Sequence, residues 1–134
     1  FALGLCLLLL RCREAGIPVI TVGGAGGKID PTQICVADLT VSTHDGLLRR
    51  VRKKLRQDHG FSREGLWGIP CVYSTELPRF PTPDGGVCAR PTPEMSLRLD
   101  CASGYGTASF VTGAFGFAAA SVVIKELASA TLSA

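Results

Sequence analysis

No two of the six cysteines form a CxxC pair, which argues against the four-cysteine zinc site that such spacing makes. Histidine is nearly missing. His44 and His59 are the only two, and neither has a neighbour at metal-ligand spacing, so both read as surface residues and no metal site is expected. Charge is sparse and the net value of +3 is modest, not that of a dedicated nucleic-acid binder. Between Ala102 and Ile124 there is no charged residue at all. The opening Phe1 to Leu10 is uncharged too, with no helix cap and no basic region before it. Arg11, Arg13 and Glu14 follow at once without a small-residue cleavage site, so this start reads as a piece of a longer pattern rather than a signal peptide.

Phosphate-loop patterns are missing as well, although a glycine cluster invites the comparison. Gly23-Gly24-Ala25-Gly26-Gly27-Lys28 follows the β-branched run Val19 to Val22. Glycines after a strand let bare N–H groups approach an anion. A P-loop needs glycine where Val22 stands and a hydroxyl residue where Ile29 stands; a dinucleotide fingerprint needs glycine at Ile29 and then a helix. Ile29-Asp30-Pro31-Thr32 reads instead as a turn, because the residue before proline is pushed out of the helical region. Two readings of the loop stay open: a tight structural turn, and a ligand-contacting loop carried by Gly23, Gly24, Gly26, Gly27 and Asp30.

At 134 residues one domain is expected, covering 1–134. The six cysteines are scattered through apolar contexts, and the chain is larger and more apolar than a disulfide-stapled module. A reducing compartment, cytoplasmic or organellar, follows as the expectation. Leu3 to Ala15 reads as a helix, apolar nearly all round until Arg11, to be buried or packed under a sheet. Gly16 stands where a C-cap glycine belongs, and Ile17 to Val22 reads as a buried strand with a proline at its entry. Helix, glycine, strand is an αβ unit and predicts the α/β class. Gln33 to Leu39 alternates like a strand, with Ile34 and Val36 on one face and Cys35 and Ala37 on the other. Cys71 to Glu76 predicts another strand. Leu77 to Pro93 holds five of the eight prolines and is not regular throughout; Val87 to Ala89 is a short strand inside it.

Ser42 to Asp45 supplies helix-starting residues. Leu47, Leu48, Val51 and Leu55 then recur at helical spacing, wrapped by Arg49, Arg50, Arg52, Lys53, Lys54 and Arg56. This amphipathic basic helix is either a solvated face or a phosphate-contacting surface for RNA. The last helix runs from about Tyr105 to Ala128. Ser109, Gly113, Gly116 and Ala120 line one face, and Phe110, Phe117 and Ile124 another. Small residues suit a membrane interface through 102–124, but the Ala-, Gly-, Ser- and Thr-rich content favours a helix buried under a sheet. Cys101 stands just before its N-terminus, where the helix dipole favours a thiolate, although Asp100 works against one. A buried structural cysteine is the alternative. Cys71 is a weaker nucleophile candidate.

In chain order, Ile17-Pro18-Val19, Gly23 to Ile34, Asp38-Leu39, Cys71 to Glu76, Gly86-Val87-Cys88-Ala89 and Asp100-Cys101-Ala102-Ser103-Gly104-Tyr105-Gly106 resemble the C-terminal half of the tRNA threonylcarbamoyladenosine dehydratases. These are members of the ThiF/MoeB/HesA superfamily, relatives of ubiquitin-activating enzymes. The resemblance covers most of the chain from Gly16 to Leu127. It implies the C-terminal portion of a Rossmann-like ThiF/MoeB-type fold, lacking the nucleotide-binding half. The implied activity is a ligase-type, ATP-dependent cyclisation of N6-threonylcarbamoyladenosine at position 37 of tRNA. It also implies ATP and Mg2+ as cofactors of the longer parent, with tRNA as substrate. Further implied partners are a second copy in a homodimer and a cysteine desulfurase or sulfur-acceptor system. Cys101 falls on the family's proposed catalytic cysteine and Cys71 on a second motif cysteine.

Two departures limit the resemblance: the chain has no GxGGVG loop or ATP-holding Asp, Arg and Lys set, and Phe1 to Leu10 is more apolar than the family's helix there. The chain alone is therefore expected to be inactive and to bind no ATP. The other readings are a sulfur-carrier or ubiquitin-like protein adenylyltransferase, which the missing cysteine pairs argue against, and a noncatalytic RNA-binding or membrane-associated module.

Overall fold

The computed structural model describes residues 2–91 and 105–132. Helix α1 spans Ala2–Glu14 and α2 Gly46–Asp58; α3 spans Ser109–Leu132. Strands β1 (Thr21–Val22), β2 (Ile34–Asp38) and β3 (Pro70–Ser74) form a sheet in the order β1-β3-β2. β1 runs parallel to β3, and β2 antiparallel to it with Val36 opposite Val72. Strands β4 (Phe80–Pro81) and β5 (Val87–Cys88) make a separate antiparallel ribbon. The α/β expectation holds.

Alternation along β2 and β3 divides the interior into two layers. On one face Cys35, Ala37, Cys71 and Tyr73 pack with Cys6 and Leu9 of α1 and with Leu48, Val51 and Leu55 of α2. On the other, Ile34 and Val72 pack with Val111 and Phe115 of α3. β3 is central and buried from Cys71 to Ser74, as a strand covered on both faces is.

Helix α1 ends as the sequence predicts. Gly16 takes φ +65°, so that its N–H donates to Arg13 O (3.2 Å) and the Ile17 N–H to Cys12 O (2.8 Å). These two bonds are a Schellman motif. Two expectations nearby need correcting. Only Cys6 and Leu9 of α1 are buried, while Leu3, Leu7 and Leu8 stay exposed; α1 packs on α2 through one stripe rather than being enclosed. The expected strand from Ile17 shrinks to Thr21–Val22, and Ile17 is exposed. Pro18 has no N–H to give a ladder, and the register with β3 begins at Thr21, opposite Cys71.

Helix α3 also differs from expectation. It starts at Ser109, with Ala108 O accepting from the N–H groups of Val111 and Thr112 (3.0 Å each). Its buried stripe is Val111 and Phe115, with Ala118, Ala119 and Val122 half-buried. That stripe is neither the small-residue face nor the Phe110-Phe117-Ile124 face. Phe110, Phe117 and Ile124 are exposed, Phe117 at 80%. Among the described residues, then, α3 is not a buried core helix.

Candidate functional site

The glycine loop is tied into the fold at several points. The Gly23 N–H donates to Val72 O (2.8 Å) and continues the β1–β3 pairing. The Gly24 N–H donates to Asp45 Oδ2 (2.7 Å). Asp45 is also the N-cap of α2, its Oδ1 accepting from the Leu48 N–H (2.8 Å). One carboxylate therefore ties the loop to the start of the basic helix, where a helix dipole favours negative charge. The Gly27 N–H donates to Gly106 O (3.0 Å), and Gly27 O accepts from the Arg79 N–H (2.8 Å). Gly27 has φ +70°, and a Cβ there would lie 2.3 Å from Arg79 O. Both the conformation and the close approach require glycine.

Behind the loop the charges interlock. Glu76, buried, accepts from the N–H groups of Ile29 (3.0 Å) and Asp30 (2.9 Å). Lys28, 3% exposed, donates from Nζ to Ser74 O (3.3 Å) and His44 O (3.4 Å). Burial pushes the Lys28 ammonium down from the ordinary lysine range, against the opposing pull of Asp45 and Glu76. His44 holds φ +56°, a costly conformation outside glycine, and thereby presents its carbonyl to Lys28. Asp30 turns inward on its own loop: its carboxylate accepts from the Thr32 N–H and hydroxyl and from Gln33 Nε2 (2.9 Å). These bonds hold it below the usual carboxylate range. Of the five loop residues predicted to contact ligand, Gly23, Gly24, Gly27 and Asp30 spend these groups on the protein itself.

A cavity of about 500 Å³ lies beside the loop, lined by Gly24, Gly26, Lys28, His44, Arg50 and Tyr105 among others. Tyr105 stacks on Phe80 at 5.4 Å. Lys28, Asp45, Glu76 and Tyr105 are the residues that sequence reasoning missed here. The signal available was Lys28 itself, a cation directly after a glycine loop. Only the fold shows that it is buried.

The candidate cysteines separate. Cys101 lies outside the described residues. Cys71 sits at the start of β3, fully buried. Burial, with Asp45 and Asp38 adding to it and Arg52 opposing, pushes its thiol up to about 12. Burial of this kind disfavours the thiolate, and Cys71 packs in the layer between the sheet and α2. The described residues contain no cluster of three or more His, Cys, Asp or Glu able to hold a metal ion.

The six basic residues of α2 do not form one surface. Lys54 pairs with Asp58 at 2.7 Å, and Arg50 lies on the glycine-loop cavity. Arg49, Arg52, Lys53 and Arg56 line a different cavity of about 290 Å³ with Gln57 and Arg63. Arg52 donates to the Ser42 hydroxyl. Burial first, then the charges of Arg56 and Arg49, push it below the ordinary arginine range. The Arg56 guanidinium lies 5.1 Å from the Trp67 ring. The loop that brings Arg63 is pinned by Asp38, whose carboxylate accepts from the N–H groups of Trp67 (3.2 Å), Gly68 (2.7 Å) and Ile69 (3.2 Å) and from Thr40 (2.9 Å). Burial works to raise Asp38, but these bonds outweigh it and hold the carboxyl below its ordinary range. His59, expected at the surface, is the C-cap of α2 and half-buried.

No family model matches the chain. The tRNA threonylcarbamoyladenosine dehydratase of Escherichia coli is 46% identical over 123 residues, which is 90% of this chain and 46% of that protein. Among solved structures, TcdA (CsdL) superposes with a TM-score of 0.81 at 38% identity, over 96% of this chain and 47% of that one. The E. coli tRNA N6-threonylcarbamoyladenosine dehydratase TcdA in complex with ATP superposes with a TM-score of 0.72 at 35% identity, over 95% of this chain and 44% of that one. The chain thus spans about half the length of the relatives it matches.

Proposed function

We propose that this chain, which shares the sequence and fold of one half of the tRNA threonylcarbamoyladenosine dehydratases, serves as that half in the same reaction. The observation that carries the reading is the joint match in sequence and fold over nine-tenths of the chain. The reaction is ATP-dependent activation of the threonylcarbamoyl carboxylate on adenosine 37 of tRNA, closing a ring with loss of one water.

ATP does not fit the described residues as a ligand of the glycine loop. An anion cradle needs free backbone N–H groups, and those of Gly23, Gly24, Gly27, Ile29 and Asp30 are spent on protein acceptors. We assign nucleotide and Mg2+ binding to the part of the relatives that this chain does not span. The chain's own share is support and substrate contact. Lys28, Asp45 and Glu76 lock the loop to β3 and α2, which fixes the cavity that Tyr105 borders. We assign the candidate catalytic role to Cys101, four residues before Tyr105 in sequence. The homodimer and a sulfur-acceptor partner are part of the proposal on resemblance alone, and a reducing compartment on the scattered cysteines.

The test is a chimera in which this chain replaces the corresponding half of the E. coli enzyme. With ATP and threonylcarbamoylated tRNA, the expected result is loss of one water at adenosine 37 by mass spectrometry, abolished by Cys101→Ala. A folded, ATP-binding chimera that leaves the nucleoside mass unchanged contradicts the proposal. Retained activity with Cys101→Ala removes only the cysteine's role.

One observation favours a second reading. Ser109–Thr131 is long and apolar enough to cross a membrane, and its Phe110, Phe117 and Ile124 face is exposed. Stable binding of the chain to neutral lipid vesicles would support a membrane-associated module.

A further inference from the structure

We propose that Arg49, Arg52, Lys53 and Arg56 of α2, together with Arg63 of the following loop, form a phosphate pocket that grips the sugar–phosphate backbone of tRNA. This rests on the tRNA reading above and deepens it. Five cations converge on one concavity of about 290 Å³, and no carboxylate lines it. The acid closest to them on the helix, Asp58, pairs with Lys54 outside the pocket. A concave set of guanidiniums suits a tetrahedral anion, since each offers paired N–H donors.

The pocket is also organised before any ligand arrives. Arg56 is stacked on Trp67, and its Nε is buried without a hydrogen-bond partner among the described residues. Arg52 is tethered by Ser42. Arg63 is carried on a small turn closed by Ser62, whose hydroxyl accepts from the Glu64 N–H (3.1 Å) and donates to Glu64 O (2.8 Å). Trp67 Nε1 donates to Ser62 O (3.0 Å), so the ring that supports Arg56 also fixes the turn that carries Arg63. Like charges held together without a counter-ion repel, and a bound polyanion relieves that repulsion.

The experiment is fluorescence-anisotropy binding of tRNA to the full 134-residue chain across a salt series, with circular dichroism of each variant to confirm folding. Arg63→Ala is the cleanest variant, because Arg63 is exposed. Its loss should weaken tRNA about tenfold and lower the salt slope by about one. Arg63→Lys should restore the slope but only part of the affinity, because lysine keeps the charge and loses the fork. Lys54→Ala, outside the pocket, should change binding less than about twofold. Competition by inorganic phosphate at millimolar concentration, with no preference for tRNA, would mark an anion site only and overturn the RNA assignment. Wild-type affinity and slope in Arg63→Ala and in Arg49→Ala would overturn the pocket, while tRNA binding itself would leave the dehydratase reading standing. No tRNA binding by the folded wild-type chain would overturn the pocket, and the chimera's water loss then decides the dehydratase reading separately.

Discussion

Helices α2 and α3 pack on the same small sheet, yet they use it very differently. α2, at 13 residues, buries Leu48, Val51 and Leu55 completely. α3, at 24 residues, buries only Val111 and Phe115 among the described residues and leaves Phe117 and Ile124 in the open. The shorter helix is held by a cap, Asp45, and its apolar stripe is fenced by arginines and lysines. Charge on the outer positions fixes which face turns inward. The longer helix has no such fence over its first fifteen residues, so no rotation about its axis is forbidden by a buried charge. What selects its packed stripe is the local fit of Val111 and Phe115 against Val72 and Ala25.

The sharpest way to break this contrast is to cut into the α2 stripe. Leu48→Ala should destabilise the chain by about 3 kcal/mol, the usual cost of a leucine removed from a closed core, measured by urea denaturation. A loss below about 1 kcal/mol would mean that the α2 layer is not the fully packed layer described. Next in size is the carboxylate that holds the loop under Arg63 and Trp67. Asp38→Ala leaves the N–H groups of Trp67, Gly68 and Ile69 without their acceptor, at a cost of about 2 kcal/mol.

Its pH signature is distinctive. The folded Asp38 carboxyl lies below its unfolded value, so its contribution is present above about pH 4 and fades as pH falls through the folded value. Asp38→Asn should therefore flatten the acid limb of the stability curve while leaving its shape near neutrality. An acid limb as steep as the wild type's would locate that dependence elsewhere. The smallest effect belongs to α3. Phe117→Ala removes a ring that is 80% exposed and should shift stability by less than about 0.5 kcal/mol. A loss of 2 kcal/mol or more in the same urea assay would show that this face is covered in solution.

Much of the fold can be read from the residues, and the reasons differ by element. Gly16 after Ala15, the β-branched alternation of β2 and the basic wrapping of α2 each leave a local mark, and each element lies within a few residues of its expected place. The limits of β1 do not, because they depend on which residues reach β3 rather than on Ile17 to Ile20 themselves. At the site, the glycine loop was visible, but its use was not. The bonds from Gly24 to Asp45 and from Ile29 and Asp30 to Glu76 join positions 21 to 47 residues apart, a distance over which no spacing rule operates. Cys71 looked like a second reactive cysteine by motif; its complete burial comes from α2 and the sheet closing over it. The six cations of α2 looked like one surface. The helix's rotation sends Arg50 to one cavity, Lys54 to Asp58, and the other four toward Arg63.

In the function proposed above, the chain contacts tRNA and supports the site while its glycine loop holds no nucleotide. Titration of ATP with Mg2+ into the folded 134-residue chain, followed by calorimetry, tests it most directly. The expected result is no saturable binding in the micromolar range, because the loop's donors are already engaged by Val72, Asp45, Glu76 and Gly106. Saturable micromolar binding of ATP, lost on Gly24→Val substitution, would contradict the account.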